Sequence, residues 1–155
     1  MDLSIDDVIN TDLVVLDLQA TARDDAIEEM ARRLEVDGRV TDRDAYMQAV
    51  LQREQEGGGT GMEMGVAIPH AKSQAVQRAS VVFGRSAEGI DFGGDAEVPS
   101  TLLFLIAAPD GSEDLHVRLL AKLARRLIHD SFRQRLHDAE SAEAAMDVLR
   151  EEVKL

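Results

Sequence analysis

The sequence predicts a single α/β domain with a mixed central sheet flanked by helices on both faces, and three observations carry that prediction. Apolar runs of strand length alternate with segments whose apolar residues recur every three or four positions, the pattern of strands separated by helices. Residues 101–107 (TLLFLIA) contain no polar residue after the first, as a central strand covered on both faces requires. No linker or internal repeat divides the 155 residues, so one domain is expected over 1–155.

Each element has its own signal. Residues 4–9 suit a short helical turn, and residues 13–18 (LVVLDL) a first strand. Thr21, with Asp24 three positions on, starts a helix in which Ala22, Ala26, Ile27, Met30, Ala31 and Leu34 recur at helical spacing up to Asp37-Gly38. The same signature returns at Thr41 and Asp44, with Ala45, Tyr46, Ala49 and Val50 on one face of a second helix that runs to Arg53 and breaks at Gly57. Residues 66–68 and 79–84 read as strands. Residues 89–94 form a turn-rich connection carrying Phe92, with room for a short strand. Pro109 and Gly111 end the long apolar strand, and Ser112 opens a helix with His116, Leu119, Leu120, Leu123 and Leu127 on one side. Ser131 and Ser141 cap the last segment, whose inward positions are Phe132, Leu136, Ala145, Val148 and Leu149.

Composition narrows the function classes. The formal charge is -13, from 30 acidic and 17 basic residues, which argues against a nucleic-acid partner because phosphate backbones draw basic surfaces. Cysteine is absent, which removes disulfides, thiolate catalysis and sulfur-ligated metal. No apolar run approaches the ~20 residues of a membrane span, and no basic-then-apolar leader opens the chain, so a cytoplasmic protein with no membrane insertion is expected. Among the basic residues only Lys72, Lys122 and Lys154 are lysines. That balance suits a cell interior of high salt, where a Debye length of about 3 Å screens self-repulsion, although an ordinary acidic protein shows it too.

The chemistry concentrates in residues 57–72, GGGTGMEMGVAIPHAK. Glycine admits left-handed backbone and close approach of an anion to amide groups, so such a loop can cradle phosphate oxygens. Pro69 fixes the backbone just before His70, whose imidazole, with an ordinary pKa of about 6.5, is mostly neutral and nucleophilic near pH 7. On the residues alone, His70 is a nucleophile, a ligand or a structural histidine. His116 follows Glu113 and Asp114 in the first turn of its helix, beyond the strand end where open α/β sheets place their sites; taken alone it is equally a half-buried core histidine. Arg53 reads as a helix-end charge, and Thr60 with the amides around Gly61 as a set of neutral donors.

The segments Arg53-Glu54, Thr60-Gly61, Gly65-Val66-Ala67-Ile68-Pro69-His70 and Leu115-His116 give residues 5–149 a resemblance to a known family. It is the enzyme IIA domain of the fructose, mannitol and nitrogen-regulatory type in the phosphoenolpyruvate-dependent sugar phosphotransferase system. The resemblance implies the same α/β architecture, a phosphohistidine at His70, a phosphoryl-stabilising His116, and support from Arg53 and Thr60. It implies a phosphotransferase component that takes phosphate from the phosphocarrier protein HPr and passes it to the enzyme IIB component of a fructose-type permease, with no metal or organic cofactor. A nitrogen-type regulatory IIA protein, acting through its phosphorylation state, is the second reading. A non-catalytic ligand- or protein-binding α/β domain is the third. The family's Thr-Gly-Ile-Gly-x-Gly run stands here as Thr60-Gly61-Met62-Glu63-Met64-Gly65, with an acid where glycine is usual. Met62, Met64 and Phe92 are expected to form an apolar rim around His70 that adapts to two partners in turn.

Overall fold

The computed structural model describes residues 4–155, with all their side chains except those of Glu113 and Leu115. Residues 101–107 lie within β6 (Ser100–Pro109), and residues 102–108 are all buried, so both faces of this strand are covered. Antiparallel β5 (Ser80–Ile90) borders one edge of β6 and itself pairs in parallel with β1 (Val14–Val15). Along the other edge run β3 (Val66–Ala67) and then β4 (His70–Ser73), both parallel to β6, while β2 (Gly61–Met62) pairs antiparallel with β3. The result is a mixed six-stranded sheet.

Among the described residues six helices complete the domain: α1 (Ile5–Val8), α2 (Arg23–Val36), α3 (Arg43–Gly57), α4 (Glu113–Leu127), α5 (Asp130–Asp138) and α6 (Ala142–Glu152). α2 and α3 pack together and onto β5 and β4, and α5 and α6 pack together and onto β6 and β1. Among the described residues no helix is long and apolar enough to cross a membrane.

The element boundaries depart from the sequence-based expectation in instructive ways. The first strand shortens to Val14–Val15 because a 3₁₀ turn takes Thr11–Leu13. The cap of α3 is Asp42, which accepts the Ala45 amide at 3.1 Å. Thr41 instead bonds the Ala75 carbonyl through both its amide and its hydroxyl. Likewise α2 starts after Ala22, and α5 after His129 in place of Ser131. Ser141 does cap α6, accepting the Ala144 amide at 3.0 Å.

One buried cation ties the first half of the chain together. Arg39, 2% exposed, pairs with Asp37 at 2.7 Å and donates to the Asp7 carbonyl and the Ser80 hydroxyl, joining α1, the end of α2 and β5. Replacing it strands these acceptors in or near the core. Arg39→Met is therefore expected to lower unfolding stability by about 2 kcal/mol, read as a shifted urea midpoint at unchanged slope.

Candidate functional site

The sheet carries a deliberate interruption at the histidine. The register on β6 runs unchanged from Ala67↔Leu103 to His70↔Ile106, so β3 and β4 share one line along β6, broken where Ile68-Pro69 leave the paired residues. Proline brings no N–H to that gap, and its own carbonyl accepts the Ile106 amide at 3.0 Å. The Ile106 carbonyl is gripped in turn by the Tyr46 hydroxyl of α3 at 2.8 Å.

This geometry turns the His70 ring back on its own chain. Nδ1 lies 2.6 Å from the Ile68 carbonyl. A carbonyl only accepts, so Nδ1 carries the proton and Nε2 keeps its lone pair. The ring is half-buried, and burial holds its pKa below the ordinary histidine value; the Arg53 charge adds to this, while the Ile68 carbonyl opposes it. His116, buried in the first turn of α4, faces it with ring centroids 5.4 Å apart and planes tilted by 49°.

A cleft of about 370 Å³ opens at His70, bordered by Thr60, Met62, Ile68, Asp95, Leu120 and Ala124. Its floor is built where two glycine loops meet backbone to backbone. Gly94 donates to the Gly58 carbonyl at 2.8 Å and Asp95 to that of Gly61 at 3.0 Å. A Cβ on Gly59 would collide with the Phe92 carbonyl, and one on Gly61 with the Gly93 carbonyl. A larger cavity of about 430 Å³ lies elsewhere, beside Arg85 and His137, but the Arg85 guanidinium there is taken up by the carbonyls of Leu136, His137 and Ala139 at the end of α5.

The structure thus brings His70, His116 and Thr60 together, and places Arg53, exposed near the end of α3, close enough for its charge to act on His70. The apolar rim needs correction. Phe92 is 1% exposed and belongs to the core, and the Met64 sulfur packs 3.3 Å from Arg133, leaving Met62 on the cleft. Leu120 and Ala124 of α4 supply the apolar wall instead, with exposed Val117 one turn before Leu120. Glu63 is exposed in the turn between β2 and β3, so its charge stays in solvent.

Two contributions were missed from the sequence. The Gly93-Gly94-Asp95 loop had a signal in its glycine doublet. Glu54, buried at 1% exposure with Oε1 2.5 Å from the Thr60 hydroxyl, also had one: it stands four residues after Val50 and eight after Tyr46, on the inward stripe of α3.

A half-buried imidazole with Nδ1 held by a carbonyl and Nε2 keeping its lone pair, beside an open cleft, has the chemistry to take a group on nitrogen. Comparison with known proteins agrees with that chemistry. Residues 7–152 match the family described as phosphoenolpyruvate-dependent sugar phosphotransferase system, EIIA 2. The chain is 41% identical to a fructose-specific EIIA component of Haloferax volcanii, covering 92% of both chains. Among solved structures it is similar to nitrogen regulatory protein IIA-Ntr of Neisseria meningitidis, with a TM-score of 0.80 and 28% identity over 92% of this chain and 97% of that one. It is also similar to the Escherichia coli mannitol enzyme IIA in its complex with phosphorylated enzyme IIB, with a TM-score of 0.76 and 26% identity over 91% and 96%. The chain therefore belongs to the EIIA 2 family, and is a phosphocarrier component of the sugar phosphotransferase type.

Nitrogen-15 NMR checks the electrostatics of the site. His70 should hold its proton on Nδ1 and titrate below the ordinary histidine value, and Arg53→Ala should raise that titration because a nearby cation disfavours imidazolium. With its folded pKa lowered, His70 binds protons more readily in the unfolded chain. Its contribution is favourable above the ordinary histidine pKa and is lost as pH falls through the folded value, so His70→Ala should lose less stability than wild type over that acid interval.

Proposed function

We propose that His70 is the phosphoryl-carrying residue, accepting phosphate on Nε2 from phospho-HPr and passing it to the IIB component of a fructose-type permease. The observation that carries this reading is the 2.6 Å contact of Nδ1 with the Ile68 carbonyl, which leaves Nε2 as the nucleophile. In the transfer the donor's phosphorus–nitrogen bond breaks, its electron pair stays with the donor ring, and the His70 Nε2 lone pair forms the new bond. The positive charge that develops on the His70 ring is borne by the Nδ1–H bond to the carbonyl.

Phosphoryl transfer of this kind leaves the protein to position groups and neutralise charge. His116, 5.4 Å away between ring centroids, is placed to donate to a phosphoryl oxygen as a stabiliser. Arg53 supplies positive potential, and Thr60 lines the cleft beside His70. Met62, Leu120 and Ala124, with Val117 beyond them, give partner proteins an apolar surface at the cleft. Support for the fructose assignment comes from the Haloferax volcanii relative, and support for a IIB acceptor from the mannitol complex. The regulatory alternative has its own support in the similarity to the Neisseria meningitidis IIA-Ntr structure.

Incubation with enzyme I, HPr and phosphoenolpyruvate, followed by intact-mass measurement, tests the proposal. Wild type should gain one acid-labile phosphate, and His70→Ala none. His116→Ala should still be phosphorylated, at a rate lower by about 10- to 100-fold, the worth of one hydrogen bond to a charged group. Onward transfer to a fructose IIB component then separates the transport reading from the regulatory one.

A further inference from the structure

Along the inward stripe of α3, Tyr46, Val50 and Glu54, only Glu54 carries a carboxyl group. It is 1% exposed. Its Oε1 lies 2.5 Å from the Thr60 hydroxyl oxygen, and its Oε2 is buried with no hydrogen-bond partner among the described residues. An ionised carboxylate in this place leaves a charged oxygen unsatisfied in the interior, a burden that the neutral acid removes.

The short contact admits two proton arrangements with opposite consequences for the cleft. A threonine hydroxyl has one proton and two lone pairs. With Glu54 ionised, the proton between the two oxygens is Thr60's own, and Thr60 offers the cleft lone pairs alone. With Glu54 protonated and donating, Thr60's own O–H is released to turn toward the cleft it lines with His70. A phosphoryl group on His70 is repelled by the first arrangement and held by the second.

We propose that Glu54 is a positioning residue acting through Thr60: its proton makes the Thr60 hydroxyl a donor to the phosphoryl group, and its ionisation withdraws that donor. The inference rests on the phosphocarrier reading of His70. Burial raises the Glu54 pKa above the ordinary carboxyl value, with the Thr60 hydroxyl and amide pulling the other way. Arg23 and Asp24 at the start of α2, paired with each other at 2.9 Å, reach Glu54 with opposite effects. β4, also packed on α3, carries His70 and Lys72, and α3 itself carries Arg53 and Glu56 beside Glu54. A phosphoryl dianion arriving at His70 favours the protonated acid further, so the donor is reinforced when it is needed.

The test follows phosphoryl transfer from phosphorylated HPr to wild type, Glu54→Gln and Thr60→Val across pH. Dividing the wild-type rate by each variant's rate cancels the donor's own titration. A glutamine amide donates without ionising, so the wild-type to Glu54→Gln ratio is expected to fall about tenfold as pH rises through the Glu54 titration, the worth of one donor to a charged group. Thr60→Val has no such donor to lose, so the wild-type to Thr60→Val ratio should fall over the same interval. A ratio that stays flat overturns the inference. Infrared difference spectra of unphosphorylated wild type provide a second arm that needs no variant to transfer phosphate. A protonated-carboxyl C=O band, shifted in D₂O, should disappear over the same pH interval, and its absence at every pH where the protein is folded overturns the inference as well. Phosphate on His70 with a flat ratio sinks the role of Glu54 alone; no phosphate on wild-type His70 sinks the carrier reading and this inference together.

Discussion

The backbone of Ile106 is held through both its amide and its carbonyl, and the rest of the site follows from that constraint. Its amide binds the Pro69 carbonyl and its own carbonyl is bound by Tyr46, so the middle of the sheet, α3 and the turn before His70 share one fixed point. With it, the strand resumes in the same register and delivers His70 with its ring folded back onto the Ile68 carbonyl. Backbone geometry thus sets which ring nitrogen carries the proton.

Electrostatics then works against the character of the whole chain. A protein of formal charge -13 is a poor host for another anion. Two local features soften this: the Arg53 charge acts on the ring, and the exposed Glu63 is directed into solvent. Burial favours the neutral His70 ring, and His116 faces it from a separate element, so the two histidines are positioned independently by β4 and α4.

Much of this was legible in the sequence, for reasons that differ by residue. The long strand and the amphipathic helices announce themselves by periodicity, and Pro-His after a glycine-rich run marks His70 as held in place. β2 and β4 were not legible because strands of two and four residues beside glycine and proline carry too few positions to show a period. Thr41 and Asp42 are both competent caps, and only the tertiary demand of the Ala75 carbonyl sends Thr41 elsewhere. Phe92 looked like a rim residue because it sits among turn residues, yet the turn lays it into the core. Glu54 entered the sequence reading only beside Arg53 in the resemblance, with no role of its own, although its spacing from Tyr46 and Val50 places it on the inward face of α3.

The meeting of the two glycine loops constrains how this protein can change. Where Gly59 and Gly61 lie against the carbonyls of Phe92 and Gly93, no side chain separates the strands of chain, so none is available for gradual adjustment. Divergence toward a new partner must therefore be written on the surrounding ledge, at Val117, Leu120, Ala124 and Met62, while the floor is inherited whole or lost.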